Sequence, residues 1–326
     1  TVGVESPGLS AAPAIAEYLA EMIVKNEGLT EKAEWKPAPK REKPLKVLAI
    51  GNSFSICVLK EIPEVAKDLG CPLDFCSLYI PGCSLKRHAE NLKKPDSNPY
   101  LVTWSYVSCP AGAIPFGNES VAKVKNKHYG NIEKMLKADR WDGVTVQQAS
   151  HLSWKPDSYE PYGTAIVEMI RKNAPQARIF VQQTWSYTPW DKRLKKWGID
   201  QNGMFEKLDS AYRSFAAAHK LDVIRTGSAV QLFRRELPVR YADASGKAFN
   251  DDVAGANRFK KLENGEVRFS GDAFHLNRKG EYLQALVWTA KLFGVDVTRC
   301  GYVPEYLKDS PATAELMKKI AGEVAK

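Results

Sequence analysis

The sequence predicts an α/β fold, a three-layer α/β/α sandwich whose central, mostly parallel sheet has five strands. From Leu45 onward, short apolar runs typical of strands alternate with segments of helical apolar spacing. That order is typical of a parallel sheet covered by helices on both faces. The length of 326 residues suits one large α/β domain with additions or two small domains, and 44% hydrophobic and 26% charged residues are ordinary for a soluble globular protein. No apolar run is long enough to span a membrane, so no membrane span is expected.

Each strand candidate is a short apolar run that ends at polar residues or glycine. The five runs are KVLAIG (46–51), LDFCSLYI (73–80), DGVTVQQ (142–148), ARIFVQQTW (177–185) and LDVIRTG (221–227). Helical spacing marks residues 58–70, 130–139, 161–175, 203–220 and 277–294, and Pro63 is expected to break the first of these. In such sheets ligands bind beyond the carboxyl ends of the strands, so a site is expected there.

The chain divides into a main domain and two smaller ends. Residues 45–300 form the predicted domain, and residues 301–326 form a helical extension. Residues 1–44 combine a helix over 14–25 with a charged, proline-rich arm. Two insertions, near 93–127 and 241–269, interrupt the alternation, and each is either a functional loop or surface decoration.

Charge and cysteine content limit the classes of partner. A formal net charge of +9 raises the question of nucleic acid, but the basic residues are scattered and no nucleic-acid partner is predicted. No metal-binding spacing, Walker loop or dinucleotide fingerprint is present, so neither a metal nor a cofactor is predicted. Six cysteines without metal-ligand spacing are expected to be mostly small core residues, with one disulfide left open.

A serine and a distant Asp-x-x-His motif are the strongest chemical signals. Ser53 follows the first strand in the run KVLAIGNSFS, where it either caps the next helix or acts as a nucleophile. Asp272 stands three residues before His275, just ahead of the last amphipathic helix. A serine becomes nucleophilic when a neighbouring base takes its proton, and a carboxylate best orients that base. Ser53, His275 and Asp272 are therefore predicted to be catalytic.

These motifs resemble the SGNH (GDSL-like) hydrolases, and most closely a branch of expected carbohydrate esterases in which Gly-Asp-Ser becomes Gly-Asn-Ser-Phe-Ser. Gly82 matches the second block, and the matching motifs span about three quarters of the chain. The resemblance implies a flavodoxin-like sheet and metal-independent catalysis. Ser53 would attack an ester carbonyl, His275 would act as general base and then acid, and Asp272 would orient it. The N–H groups of Ser53 and Gly82 would form part of the oxyanion hole.

The third block departs from the family pattern, which has Gly-x-Asn where this chain has VTVQQASH. The side-chain amide of Gln148 is favoured as the missing oxyanion donor, because glutamine offers the same NH2 group on a longer arm. Gln147 and His151 are the rivals. Asn52, in place of the usual acid, is predicted to stabilise the turn before the nucleophile.

Two further residues follow the fourth strand and are candidate site neighbours, Gln183 and Trp185. An aromatic ring at the mouth of such a site can stack on a sugar, and buried packing is an equal alternative for Trp185.

The resemblance implies a serine esterase, and the polar, aromatic-flanked site favours removal of O-acetyl or similar small acyl groups from a carbohydrate. The alternatives are a general carboxylesterase or lipase-like hydrolase on the same triad, and a non-catalytic glycan-binding module. The expected partner is an acylated glycan or another small ester. A periplasmic or secreted location is expected from the absent initiator methionine and the supposed polysaccharide substrate. No motif fixes an oligomeric state.

Overall fold

The computed structural model describes residues 43–95, 98–105, 114–115, 128–237, 251–256, 259–265, 267–269 and 271–326. The helix predicted over 14–25 lies outside these residues, and so does the proline-rich arm except for its last two residues. Much of both insertions also lies outside them.

The ten strands of the described residues are β1 (Leu45–Gly51), β2 (Leu73–Tyr79), β3 (Tyr100–Ser105), β4 (Ile114–Pro115), β5 (His128–Gly130), β6 (Gly143–Val146), β7 (Arg178–Gln182), β8 (Asp222–Ile224), β9 (Phe259–Lys261) and β10 (Val267–Phe269). The α-helices are α1 (Ser53–Ile56), α2 (Ile62–Asp68), α3 (Leu85–Lys93), α4 (Ile132–Ala138), α5 (Tyr162–Asn173), α6 (Lys192–Trp197), α7 (Gln201–His219), α8 (Thr226–Glu236), α9 (Arg278–Phe293) and α10 (Pro311–Val324).

The five predicted strands form the parallel part of the central sheet. Their order is β2-β1-β6-β7-β8, and each neighbouring pair is parallel. The predicted α/β class and flavodoxin-like order are therefore confirmed. The chain leaves β1 toward β2 on one side and later returns to β6 on the other. A crevice opens at such a reversal, beyond the carboxyl ends of the strands.

The sheet is wider than the sequence predicted. Strand β3 pairs antiparallel with β2, and β4 and β5 both pair with β3, which gives eight strands within the described residues. The expected count of five is wrong at this edge because the insertion near 93–127 supplies extra strands. Proline, glycine and serine hide the strand pattern there. Strands β9 and β10 form a separate antiparallel pair in the second insertion.

The helices form two layers. Helices α3, α4, α5 and α7 contact one another in series, while α2, α8, α9 and α10 form a second contacting group. Parallel crossovers are almost always right-handed, so reversing the direction of strand addition after β2 changes the covered face. The two groups thus lie on opposite faces of the sheet. Both helical layers were expected from the predicted three-layer sandwich.

Helix α9 is the most deeply buried helix of the second layer, with every residue from Gly280 to Ala290 inaccessible to solvent or nearly so. Its Trp288 ring lies 5.6 Å from that of Phe75 in β2. A Cβ on Gly280 would meet the carbonyl oxygen of Val253 at 2.2 Å. Glycine at this position therefore lets the segment 251–256 lie directly against the first turn of α9.

Two further observations concern the whole of the described chain. None of the described helices has the length and apolar composition needed to cross a membrane. Cys57, Cys71, Cys76, Cys83 and Cys300 are all buried free thiols. The sixth cysteine, Cys109, lies outside the described residues.

Candidate active site

Strand β1 delivers Ser53 to the start of α1 at the crevice between β1 and β6. The helix cap is Asn52, whose Oδ1 accepts a hydrogen bond from Phe54 N at 3.0 Å. Capping is thus done by the neighbouring residue, and the Ser53 hydroxyl remains available. On the far side of the turn, the Phe54 carbonyl accepts bonds from Gln182 Nε2 (2.8 Å) and Gln284 Nε2 (2.9 Å). The nucleophile turn is therefore fixed from two sides.

The structure brings the three predicted catalytic residues together. Ser53 Oγ lies 2.7 Å from His275 Nε2. The other ring nitrogen, Nδ1, is hydrogen-bonded to Asp272 Oδ2. When Nδ1 carries the proton, Nε2 presents its lone pair to the serine hydroxyl, as a general base must. The arrangement can therefore activate Ser53 for attack on a carbonyl carbon.

Asp272 is held in the charged form that this role needs. Partial burial raises the pKa of its carboxyl, but the hydrogen bonds from the His275 ring and from two backbone N–H groups outweigh it and leave the pKa below its usual value. The backbone donors are Phe274 N at 2.8 Å and His275 N at 2.9 Å, both to Oδ1. A charged Asp272 fixes the orientation and tautomer of the imidazole.

The backbone of the Asp272–His275 turn is held by the segment that follows β7. Thr188 donates to the Ala273 carbonyl twice, from N (3.1 Å) and from Oγ1 (2.8 Å). Trp185 Nε1 donates to the Phe274 carbonyl at 2.7 Å. Residues 185–188, here named the upper support, thus bind the two central carbonyls of the turn.

Residues 251–256, here named the lower support, bind the two outer carbonyls. Ala256 N donates to the Asp272 carbonyl at 2.7 Å, and Gly255 N donates to the His275 carbonyl at 2.8 Å. Every carbonyl of the turn therefore accepts a hydrogen bond from outside it. Such a shell fixes a catalytic side chain before substrate arrives.

A buried ion pair connects the two supports. Arg234 Nε of α8 lies 3.1 and 3.0 Å from the two carboxylate oxygens of Asp252 in the lower support. Arg234 Nη1 donates to Ser186 O (3.1 Å) and Ser186 Oγ (2.8 Å) in the upper support. The two charged side chains are 4% and 0% exposed. This clasp joins the segments that position His275.

Two backbone N–H groups are free to stabilise an oxyanion. Within the described residues, neither Ser53 N nor Gly82 N has an intramolecular acceptor. Gly82 has φ +58°, a left-handed conformation that glycine adopts without strain. Asn52 Nδ2 donates to the carbonyl of Cys83 at 2.9 Å and so ties the Gly82 turn to the nucleophile turn. The oxyanion roles of the Ser53 and Gly82 N–H groups stay predictions, which need both groups to be unpaired as they are here.

The third block contributes side chains that join loops. Gln147 Nε2 is hydrogen-bonded to Asn52 Oδ1, so Asn52 links all three blocks. Gln148 Nε2 donates to both O (2.8 Å) and Oγ (3.0 Å) of Ser158, and its Oε1 accepts from Leu85 N at 3.0 Å. The donor role for Gln148 stays a prediction, and it requires Nε2 to leave Ser158.

The remaining candidates differ in their relation to the site. The side chain of His151 lies at the surface. Its ring is still partly shielded from water, and this shielding, followed by the charges of Arg193 and Lys155, lowers its pKa, so the ring stays neutral at neutral pH. Gln183 is not part of the site, because its amide is bonded to Asp209 (2.7 Å) and Ser228 (2.7 Å) in the flanking helices.

Trp185 is fully buried, so the alternative of an aromatic ring at the mouth is wrong for this residue. Its ring stacks on Phe54 with centroids 4.4 Å apart, and its indole N–H holds the turn of the catalytic histidine. Because the Trp185 side chain is inaccessible to solvent, neither face of its ring can stack on a sugar. Trp185 is therefore a packing and positioning neighbour of the triad.

Sequence reasoning missed the residues that act through backbone contacts, namely Thr188, Gln284, Arg234, Asp252 and Gly255. The only available signals were weak. Asp252 lies in a segment that was expected to be an insertion, and Thr188 lies three residues after Trp185 in the stretch that follows the fourth strand. Contacts between one side chain and a distant carbonyl leave no periodic pattern in a sequence.

Comparison with known proteins gives a family and a set of similar folds. A family model described as a domain of unknown function (DUF4886) matches residues 46–252. No curated protein matches the chain. The chain is similar to the crystal structure of a DUF4886 family protein from Bacteroides uniformis, with 25% sequence identity, a TM-score of 0.66, and coverage of 86% of this chain and 95% of that chain.

Two further solved structures are similar at lower levels. One is a candidate SGNH hydrolase from Slackia heliotrinireducens, at 18% identity and TM-score 0.47, covering 76% of this chain and 98% of that one. The other is an acetyl xylan esterase, at 13% identity and TM-score 0.42, covering 75% and 98%. The predicted SGNH resemblance is confirmed: the motifs that carry it meet at the strand ends of the expected sheet.

Proposed function

The chain belongs to the DUF4886 family, and we propose that it is a serine esterase that removes O-acetyl or similar small acyl groups from a carbohydrate. The observation that carries this proposal is the 2.7 Å approach of Ser53 Oγ to His275 Nε2, with Asp272 bonded to the opposite nitrogen. A serine that merely capped a helix would need neither an oriented base nor a free hydroxyl. The SGNH resemblance supports ester hydrolysis as the reaction class.

The first half of the reaction acylates the serine. His275 Nε2 takes the Ser53 proton while Oγ attacks the ester carbonyl carbon, and the carbonyl oxygen becomes an oxyanion. The N–H groups of Ser53 and Gly82 face this charge. The intermediate collapses when the C–O bond to the sugar breaks, and His275 gives its proton to the departing sugar oxygen. The products are a free sugar hydroxyl and an acyl-serine.

The second half frees the enzyme. A water molecule gives a proton to His275 Nε2 as its oxygen attacks the acyl carbon, and the same oxyanion site stabilises the second intermediate. The Oγ–carbon bond then breaks and Ser53 recovers the proton from His275. Throughout, Asp272 stabilises the charged imidazolium. Each oxyanion donor contributes about 10²–10³-fold in rate in enzymes of this chemistry.

The surface supports a small acyl group over a long chain. Among the described residues, Tyr129 is the one exposed large hydrophobic side chain. A lipase acting on long chains needs a broad exposed apolar patch where substrate can dock. The ring of Phe274 lies 4.3 Å from that of His275, and the ring of Phe54 lies 5.2 Å from it. Phe54 is buried and Phe274 is partly buried, so the apolar surface beside His275 is small.

The test is release of acetate from p-nitrophenyl acetate and from a panel of acetylated glycans. Wild type is expected to release acetate, while Ser53→Ala and His275→Ala each lose activity by several orders of magnitude and keep the folded circular dichroism spectrum. Near-normal turnover by Ser53→Ala would sink the proposal.

A chain-length series of p-nitrophenyl esters separates the close alternative. Activity that falls steeply beyond short acyl chains supports the glycan acylesterase. Activity that rises with chain length supports a lipase-like enzyme on the same triad. Glycan binding without release of acetate from any ester would indicate a non-catalytic module.

A further inference from the structure

A fixed arginine lies beside the triad, and the proposed reaction does not use it. Arg193 of α6 makes a two-point ion pair with Asp191, with Nε 2.9 Å from Oδ1 and Nη2 2.6 Å from Oδ2. Its guanidinium carbon lies 4.2 Å from the ring centroid of Phe274, next to His275, and 4.3 Å from that of Tyr187. Nη1 has no acceptor among the described residues and points away from the ion pair.

Four lysines extend this positive charge. Lys192, Lys195 and Lys196 are exposed on α6, and Lys155 is exposed on the loop that follows β6. The ring of Trp154 on that loop lies 5.4 Å from the ring of Trp197 on α6, which places the loop and the helix side by side. The cationic rim is defined here as Lys155, Lys192, Arg193, Lys195 and Lys196.

Nearby acids offset the positive charge of the rim only in part, because Asp191 balances Arg193 but not the four lysines. Asp191 is bound to Arg193, and Asp272 is bound to His275. Asp200 caps α7 by accepting from Gly203 N at 2.7 Å, and Asp157 is exposed on the loop. Partial burial and the charges of Arg193 and Lys155 lower the pKa of His151, so its ring adds no positive charge at neutral pH. No lysine of the rim forms an ion pair within the described residues.

Resting on the esterase function proposed above, we propose that the cationic rim binds carboxylates of the substrate, so that the acyl group removed is carried by an acidic glycan. A guanidinium that packs against two aromatic rings and is fixed by a partner carboxylate is pre-oriented for a second, planar carboxylate. The lysines supply a broader attraction for the neighbouring acidic sugars of a polymer. The site thereby selects the sugar part of the ester, while the triad selects the bond.

A groove continues from the rim and suits the rest of such a polymer. It has a volume of about 780 Å³ and lies between the Lys155 loop and α7. Its lining combines the Trp154 indole with Ser158, Ser210 and Ser214 and with charges of both signs. An aromatic face among hydroxyl groups is a lining that accepts sugar rings.

The test compares esters that differ only in charge. O-acetylated polygalacturonate is offered beside the same polymer with its carboxylates methylated, and the ratio of the two kcat/KM values is the measured preference. Wild type is expected to prefer the acidic form at least roughly tenfold. The preference should shrink as salt rises from about 0.01 M to about 1 M, because the Debye length falls from about 30 Å to about 3 Å.

Variants then locate the preference. Arg193→Gln should reduce the ratio toward one, and Arg193→Lys should restore part of it. Lys192→Gln/Lys195→Gln/Lys196→Gln changes only exposed residues and should lower the ratio without a change in unfolding. The matched control is Lys67→Gln/Lys172→Gln/Lys319→Gln, exposed lysines on α2, α5 and α10. Because each ratio is taken within one variant, a general loss of activity does not affect it.

Three outcomes would overturn the inference. The first is equal rates on the two polymers, and the second is a preference that the rim variants keep as fully as the control does. The third is a sulfated glycan without carboxylates that outcompetes the carboxylated one. Failure of the esterase itself is separated by a binding assay on Ser53→Ala. If Ser53→Ala retains polygalacturonate and its rim variants do not, the binding role of the rim is supported even if no ester is cleaved. If there is neither retention nor cleavage, both proposals are rejected.

Discussion

Asn52 makes a set of hydrogen bonds that an acidic side chain at this position does not allow. Its Oδ1 accepts from Phe54 N and from the Gln147 amide, while its Nδ2 donates to the Cys83 carbonyl. A carboxylate has no hydrogen to give, so it would place an oxygen against the Cys83 carbonyl. At this single residue, the chain has an amide that joins three loops where the Gly-Asp-Ser pattern has an acid.

We therefore expect Asn52→Asp to lower kcat/KM for p-nitrophenyl acetate by roughly tenfold or more and to destabilise the fold by about 1–3 kcal/mol, since a buried acceptor loses its donor. Steady-state kinetics and urea unfolding measure the two effects. Asn131→Asp is the matched control, because within the described residues that buried cap only accepts a hydrogen bond, from Lys134 N at 2.9 Å. Equal effects of the two substitutions would refute this account of Asn52.

Asp272 makes the free energy of unfolding depend on pH, and the sign of this dependence is fixed by its lowered pKa. Its pKa is below the usual value in the folded protein, so the carboxylate contributes stability above the unfolded pKa of about 3.9 and loses it as pH falls through the folded pKa. The difference in unfolding free energy between wild type and Asp272→Asn should be constant above about pH 5 and shrink below about pH 4. Urea unfolding between pH 3 and pH 7 measures it. A constant difference throughout would contradict the lowered pKa.

At the scale of the element, the Asp272–His275 turn has no hydrogen-bonded ladder of its own and depends on its neighbours. The upper and lower supports bind its carbonyls, and the Arg234–Asp252 clasp joins the supports. The geometry of the general base is therefore set partly by α8, a helix that contributes no catalytic side chain.

Breaking the clasp should affect both stability and rate. Arg234→Gln leaves the carboxylate of Asp252 buried without its cation, which costs about 3–5 kcal/mol in comparable sites. We expect urea unfolding to show this loss, and kcat to fall while KM stays nearly constant, because His275 is displaced and the rim is not.

The exposed pair Arg178–Asp222, whose side chains are 59% and 38% exposed, supplies the control. Arg178→Gln should change stability by about 0–1 kcal/mol and leave kcat unchanged. If kcat in Arg234→Gln stays at the wild-type level in protein shown to be folded, the positioning role of the clasp is wrong.

At the scale of the whole molecule, what could be predicted from the sequence follows from burial. Strands β1, β6 and β7 are covered on both faces and read as continuous apolar runs. Strand β3 is also largely apolar, but it stands in a segment rich in proline, glycine and serine, and β4 and β5 have only two and three residues, so the width of the sheet was missed. Ser53 and the Asp272–His275 pair could be predicted because each motif is local in the sequence. The supports and the clasp were not, since they depend on contacts between distant segments.

The buried thiols give a test of the whole core. Burial raises the pKa of Cys71 to about 11 and those of Cys83 and Cys300 to about 12, and it also raises that of Cys57. Since the thiolate is the reactive form, native protein should leave the five described cysteines unalkylated by iodoacetamide at neutral pH. Peptide mapping before and after unfolding in urea measures this. Rapid labelling of Cys83 in native protein would contradict the packing beside the Gly82 turn.

Ser53 and His275 stand 222 positions apart in the chain. During synthesis, the nucleophile leaves the ribosome long before its base, and a nascent chain lacking the final third has no means to activate the serine. Contacts of such long range also make folding slower, because a long loop must close before the contact forms. Recovery of ester hydrolysis after dilution from denaturant therefore reports the moment at which Ser53 and His275 come together, which the return of secondary structure alone does not register.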